Sequence, residues 1–182
     1  MGVYLLKFGT IVLAALPVWL LIRRPWKRKQ PREWALGAFV LFMAGLLALA
    51  LEGEYGTPAQ MAGRALTRIR TGERVNLIPF RAITLYFEHL DVGVLGINVI
   101  GNIIMFVPWG FGLVLLWKKN RRLPVIIAFS LGLTLLIETC QLFIERSVDV
   151  DDLILNFTGS CLGAGIFYVL KRIWPGVERF AR

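Results

Sequence analysis

Five long apolar stretches limit the folds that are open to this sequence. They are residues 3–22, 34–51, 92–117, 124–144 and 153–170. A helix needs about 20 mostly apolar residues to cross the hydrocarbon core of a bilayer, and each stretch is near that length. The chain is also 57% hydrophobic and only 18% charged, unlike an average soluble domain. The sequence therefore predicts an all-α integral membrane helical bundle, a single domain over residues 1–182 with about five transmembrane helices.

A signal peptide is the alternative interpretation of the first apolar stretch. No basic region precedes that stretch, and Arg23 and Arg24 follow it where a small-residue cleavage site would be expected. We therefore expect the stretch to remain in the protein as its first span.

The basic residues outside the spans predict the orientation of the bundle. Fourteen of them fall in segments 23–33, 118–124 and 171–182, which five spans would place on one side of the membrane. Segments 52–91 and 145–152, on the other side, carry only six. Because Lys and Arg accumulate in cytoplasmic loops, we expect the N-terminus outside and the C-terminus inside.

The placement of the positive charge also bears on partners and cofactors. The formal net charge is +9, but the basic residues flank apolar spans. We therefore interpret the charge as attraction to anionic lipid and expect no nucleic-acid partner. Two cysteines and one histidine leave little room for a zinc site or a disulfide framework. We expect no cofactor, and nothing in the sequence indicates the oligomeric state.

The outer loop 52–91 contains a predicted amphipathic helix over residues 58–70. Its apolar face is formed by Met61, Ala62, Ala65, Leu66 and Ile69. Arg64 and Arg68 lie one turn apart on another face. We expect this helix to lie on the outer leaflet with its apolar face in the lipid.

Polar residues recur at helical spacing along three predicted spans. They are Asn98 and Asn102 in the third span, Ser130, Thr134, Glu138, Gln141 and Glu145 along the fourth, and Asp149, Asp152, Asn156 and Ser160 along the fifth. Polar groups in a span usually face the bundle interior or a water-filled cavity, so these stripes predict an outward-facing polar pocket. Interhelical hydrogen bonding is the alternative for the Asn and Ser residues. A carboxylate such as Glu138 is a costly choice for packing alone.

Two further segments flank the predicted pocket. Asp149, Asp151 and Asp152 precede the fifth span, and Arg146 is their obvious counter-ion. A charge network is one interpretation and a hard-metal site is the other. Because the spacing does not match a calcium loop and a cation stands beside the acids, we assign no metal. The apolar segment 76–80 is expected to be a membrane-surface anchor or a lid over the pocket.

Several motifs, in this order, are similar to those of a known family. They are Asn76-Leu77-Ile78-Pro79-Phe80, Gly101-Asn102-Ile103-Ile104-Met105-Phe106-Val107-Pro108-Trp109-Gly110-Phe111, Glu138 with Gln141, Arg146 with Asp149-Val150-Asp151-Asp152, and Asn156 with Gly159. Through residues 76–165 the sequence resembles the VanZ-like family, the teicoplanin-resistance membrane proteins of mainly Gram-positive bacteria. The resemblance implies a multi-pass protein of the bacterial cytoplasmic membrane and low-level resistance to lipoglycopeptides such as teicoplanin, without specifying a reaction.

We expect the pocket to bind an amphipathic or lipid-linked ligand without catalysis. The expected site residues are Asn76, Pro79, Phe80, Arg81, Asn98, Asn102, Glu138, Gln141, Arg146, Asp149, Asp151, Asp152 and Asn156. Arginines would hold phosphate or carboxylate groups, and the acids would hold amine or hydroxyl groups. The expected partners are membrane lipid and a lipid-linked cell-wall precursor or a lipoglycopeptide. An enzyme with Glu138 as acid or base and a lipid transporter are the alternatives.

Overall fold

A computed structural model describes residues 2–28, 30–81, 84 and 96–182 of the chain, without the side chains of residues 2–8, 28, 96 and 97. Its helices are α1 (Gly2–Arg23), α2 (Pro25–Arg28), α3 (Pro31–Ala50), α4 (Pro58–Thr71), α5 (Gly101–Leu116), α6 (Leu123–Phe143) and α7 (Val150–Ile173). A π-helical turn, Gly96–Ile100, precedes α5, and short 3-10 helices cover Lys118–Arg121 and Pro175–Phe180.

Four described helices are long and apolar enough to cross a membrane. They are Pro31–Ala50, Asn98–Leu116, Leu123–Phe143 and Val150–Ile173. These segments correspond to the second to fifth predicted spans, so the predicted all-α membrane bundle is confirmed. α1 covers the first predicted span with 22 helical residues. The predicted start of the third span, residues 92–95, lies outside the described residues.

Local sequence signals explain where the helices begin and end. Proline occupies the first turn of α3, α4 and α6, where the missing N–H has no helical partner to lose. Thr57 and Gln60 form a capping box before α4, and Gly72, with φ 71°, ends that helix in the left-handed conformation. Asp149 caps α7 by accepting a hydrogen bond of 2.8 Å from the N–H of Asp151.

Close backbone contact between α5 and α7 forms the centre of the bundle. A Cβ at Gly110 would overlap the carbonyl oxygen of Ser160, and one at Gly163 would overlap that of Val107. Small residues therefore let the two helices approach more closely than side chains would allow. This contact brings the polar stripes of both helices to the same interior.

The loops group at two ends of the bundle. At one end the N–H of Lys118 donates to the carbonyl of Arg182 (2.9 Å), and Arg121 pairs with Glu178 (2.8 Å). The basic segments that follow α5 and α7 therefore lie together. At the other end the N–H of Glu54 donates to the carbonyl of Ile144 (2.9 Å), which joins the loop after α3 to the end of α6.

A short parallel strand pair, which the sequence did not predict, lies at this second end. β1 (Val75–Asn76) pairs with β2 (Val148–Asp149), with Val75 opposite Val148 and Asn76 opposite Asp149. The pair holds the start of segment 76–80 against the N-terminus of α7.

Candidate functional site

A polar cavity of about 550 Å³ lies among α3, α5, α6 and α7. Its described lining residues are Leu49, Ala50, Asn98, Gly101, Asn102, Met105, Phe106, Ile137, Glu138, Gln141, Arg146, Asp152 and Asn156. Seven of them, the three Asn residues with Glu138, Gln141, Arg146 and Asp152, are predicted site residues. α3 also contributes to the wall, although its sequence had given no reason to place it there.

The polar stripe of α6 faces the interior of the bundle. Ser130, Thr134, Glu138 and Gln141 are all buried, because steps of three or four residues return to the same helix face. Glu145 is the exception among the residues of the predicted stripe. It lies beyond the end of α6 with φ 60° and pairs with Arg64 at 2.9 Å.

Two carboxyl groups of the cavity each accept a hydrogen bond from a neighbouring element through one oxygen. Glu138 accepts a hydrogen bond of 3.1 Å from the backbone N–H of Asp149. Asp152 accepts one of 2.6 Å from the side-chain amide of Asn102, which joins α7 to α5. Within the part of the chain that the structure describes, the second oxygen of each carboxylate makes no hydrogen bond.

Two buried amide oxygens also line the cavity without a partner. The Gln141 amide N–H donates to the carbonyl of Ala50 at 2.9 Å, which leaves its Oε1 unpaired. The Oδ1 of Asn156 is likewise unpaired among the described residues. The two residues are only 6% and 5% exposed, and an unsatisfied buried polar group costs about 1–3 kcal/mol. Both oxygens therefore require a donor that the described residues do not supply.

Arg146 is the cation of the cavity wall, but it does not bridge the acidic cluster. Its guanidinium donates to the carbonyl of Glu52 at 3.3 Å. None of the ion pairs within 4.0 Å among the described residues includes Arg146. The predicted bridging of the aspartates by Arg146 is therefore wrong for the described residues, because its guanidinium bonds to the loop after α3 instead.

The three aspartates at the start of α7 accept hydrogen bonds from different neighbours. Asp149 accepts from the side chain of Asn76 at 2.8 Å, and Asp151 accepts from the backbone N–H of Phe80. Only Asp152 lines the polar cavity. No three His, Cys, Asp or Glu side chains among the described residues are arranged to hold a metal ion.

Segment 76–80 lies beside the N-terminus of α7 rather than along the cavity wall. The predicted site residues Asn76, Pro79, Phe80, Arg81, Asp149 and Asp151 are absent from the described lining. Leu77, Ile78 and Phe80 are exposed, although Asp149 and Asp151 hold the segment in place. Exposed apolar side chains on a fixed loop fit the surface-anchor interpretation better than the lid.

Arg68 is a structural residue that the sequence interpretation missed. It is buried, and its guanidinium donates to the carbonyls of Glu73, Arg74, Gln141, Leu142 and Arg146. Burial, and then the charge of Arg74, lowers the pKa of Arg68. The arginine face of α4 therefore docks on the bundle, whereas Leu66 and Ile69 stay exposed. Only its position on the polar face of an amphipathic helix could have indicated this role.

The VanZ/LLP1 family model matches residues 36–171, about three quarters of the chain. The match begins in α3 and includes every described residue that lines the polar cavity. It therefore extends beyond the segment 76–165 on which the sequence resemblance rests. No curated protein and no solved structure matches the chain. The chain belongs to the VanZ/LLP1 family.

Proposed function

We propose that this membrane protein binds an amphipathic or lipid-linked ligand in the polar cavity, and that this binding gives low-level protection against lipoglycopeptides such as teicoplanin. The observation that carries the proposal is a pair of buried amide oxygens, those of Gln141 and Asn156, that have no partner among the described residues and lie in a cavity of about 550 Å³. Pockets of roughly 300–1,000 Å³ are typical of small-molecule sites.

The lining of the cavity indicates the chemistry of the ligand. Acceptor groups of Glu138, Gln141, Asp152 and Asn156 outnumber Arg146, the one cationic side chain among the described lining residues. They suit a headgroup rich in N–H or O–H donors, such as an amine or sugar hydroxyls. The remaining wall includes Leu49, Met105, Phe106 and Ile137, which suit hydrocarbon.

The expected location of the ligand follows from the distribution of charge. The cavity lies at the end of the bundle opposite the basic segments after α5 and α7. Because basic loops favour the cytoplasm, we assign the cavity to the outer leaflet of the bacterial cytoplasmic membrane. There a lipid-linked cell-wall precursor, a membrane lipid or the antibiotic itself could enter from the bilayer.

An enzyme is the second candidate function, and one observation favours it. Glu138 presents a carboxylate oxygen without a hydrogen-bond partner among the described residues, which is what a general acid or base requires. No Ser, Thr or Cys is among the described lining residues, so an enzyme would have to activate water. Transport has less support, because Val114, Ile126 and Phe167 fill the opposite half of the bundle with apolar side chains.

A cavity-filling substitution tests the proposal. Gly101 lines the cavity, and a Cβ added there meets open space. A larger side chain at this position would therefore extend into the cavity. Gly132 offers the matched control, because its added Cβ also meets open space but the residue does not line the polar cavity. We expect Gly101→Leu to abolish protection against teicoplanin and to remove the lipid that co-purifies in mild detergent. Gly132→Leu should retain both.

The two outcomes that would overturn the proposal are distinct. Equal teicoplanin susceptibility of cells expressing Gly101→Leu, Gly132→Leu and the parent would show that the cavity plays no part in protection. Recovery of a chemically altered lipid from the parent, and of the unaltered lipid from Glu138→Gln, would favour the enzyme.

A further inference from the structure

A second cavity, of about 670 Å³, lies at the end of the bundle that carries the basic segments. Its described lining residues are Arg23, Gln30, Pro31, Arg32, Glu33, Arg179, Ala181 and Arg182. Four are arginines and one is acidic, so this arginine cavity has a surplus of positive charge. The family match does not reach this cavity, because all eight of its described lining residues lie outside residues 36–171.

The one acidic side chain among the described lining residues of the arginine cavity is already used within the protein. Glu33 is buried and accepts hydrogen bonds of 3.1 and 3.0 Å from the guanidinium of Arg23. Arg32 lies 3.8 Å from the same carboxylate, but its Nε is buried without a partner among the described residues. Glu33 therefore orients two arginines without cancelling the charge of the cavity.

The other two arginines come from the segment after α7, which is fixed in place. The N–H and carbonyl of Arg182 bond to Leu116 (3.1 Å) and Lys118 (2.9 Å), and Val177 is buried in the apolar cluster. Arg179 stacks over the rings of Trp174 and Phe180, 5.1 and 5.0 Å from their centroids. Neither Arg179 nor Arg182 has an ion-pair partner within 4.0 Å in the described chain.

The start of α3 brings the positive end of a helix dipole to the same cavity. α3 has 20 residues and begins at Pro31, and the side chain of Gln30 does not cap it. Pro31 has no N–H, and the N–H of Glu33 already donates to the carbonyl of Gln30 at 3.0 Å, so this end contributes mainly the positive potential of the helix dipole. A helix N-terminus together with unpaired guanidinium groups is a suitable site for a phosphate.

Exposed tryptophans indicate the source of that phosphate. Trp26, Trp34 and Trp174 are exposed in α2, at the start of α3 and just after α7, close in sequence to the cavity lining. Tryptophan is enriched where a membrane meets water, so these residues place the arginine cavity at the depth of the lipid headgroups. We propose that the arginine cavity binds the phosphate headgroup of an anionic membrane lipid.

Lipid titrations of the purified full-length protein in detergent test this site. The probes are phosphatidylglycerol, zwitterionic phosphatidylcholine and inorganic phosphate, with the melting temperature and native mass spectrometry as readouts. We compare Arg179→Gln/Arg182→Gln with Arg122→Gln/Arg172→Gln, which removes the same charge from exposed residues outside the cavity. Because a charge-assisted hydrogen bond is worth about a tenfold change in affinity or more, the cavity variant should bind phosphatidylglycerol at least about tenfold more weakly. The control should stay within about twofold.

Three results would overturn the proposal. Equal weakening in both double variants would show diffuse attraction to the basic end, and equal binding of phosphatidylcholine would show no selection for anionic lipid. Stabilisation by inorganic phosphate as large as that by phosphatidylglycerol would assign the site to a free anion. If Arg179→Gln/Arg182→Gln melts at a lower temperature than the parent without lipid, Arg182→Gln alone provides the test. The side chain of Arg182 makes no hydrogen bond, ion pair or ring contact with the described residues, so its loss should not weaken the fold.

Discussion

Glu138, near the end of α6, accepts a hydrogen bond from the backbone N–H of Asp149, 3.1 Å away. Asp149 in turn accepts from the side chain of Asn76 at 2.8 Å, so this chain of contacts joins α6, the start of α7 and segment 76–80. Glu138 therefore has two roles, as an acceptor that supports the fold and as an ionisable group in the polar cavity. Conservative substitution separates them.

We predict that Glu138→Gln keeps the fold but loses function. The amide oxygen can still accept from Asp149, so the melting temperature in detergent should change little. The substitution removes the ionisable carboxyl group from the cavity, so protection against teicoplanin should fall to that of cells without the protein. Glu54→Gln is the control, because Glu54 is an exposed acid outside the cavity. Full protection by Glu138→Gln would limit this residue to a structural role.

We predict that Gly110→Ala destabilises the bundle and that Gly165→Ala does not. The added Cβ at Gly110 would overlap the carbonyl of Ser160 and force α5 and α7 apart, which should cost about 1–3 kcal/mol or more. At Gly165 the Cβ meets open space, and the better helix propensity of alanine should make the change neutral or slightly stabilising. Melting curves of the two variants in one detergent make the comparison. Equal melting temperatures would contradict the close contact of the two helices.

We predict that Arg68→Ala detaches α4 from the bundle. The substitution removes one donor from five carbonyl groups. The carbonyls of Arg74 and Gln141 keep backbone donors, whereas a buried carbonyl left unpaired costs about 1–3 kcal/mol. Arg68→Lys should recover part of the loss, because one ammonium cannot reproduce the guanidinium fork. Proteolysis within α4 and the melting temperature are the measurements. Arg70→Ala, at an exposed position of α4, should behave like the parent within about 0.5 kcal/mol.

We predict a stability contribution from Glu178 that is lost in acid. Hydrogen bonds from Arg121 and Lys171 lower the pKa of Glu178 from 4.5 to about 2. Because the folded protein favours the ionised form, the contribution is complete above pH 4.5 and disappears as the pH falls through 2. Melting temperatures measured between pH 7 and pH 2 should therefore converge for the parent and Glu178→Gln at the acidic end. A constant difference between the two melting temperatures across this pH range would show that the ionisation of Glu178 does not contribute to stability.

The long apolar stretches made the membrane bundle predictable from the sequence. The spacing of Ser130, Thr134, Glu138 and Gln141 also identified the interior face of α6, since all four are buried. Helical periodicity is a local property, so it specifies which side chains share a face. Periodicity could thus predict that Asn102 and Asp152 face a common interior, but not that they form a hydrogen bond.

The tertiary structure alone decided which partners those side chains meet. Periodicity placed Arg68 on the polar face of its helix, but only the packing of α4 brought the carbonyls at the end of α6 within its reach. Periodicity likewise could not show that Asp151 accepts a hydrogen bond from Phe80 whereas Asp152 accepts one from Asn102. These contacts involve residues 50 or more positions apart in the chain, and most use backbone groups, which every residue carries. A sequence pattern determines the faces of helices, whereas their packing determines how the polar groups on those faces are paired.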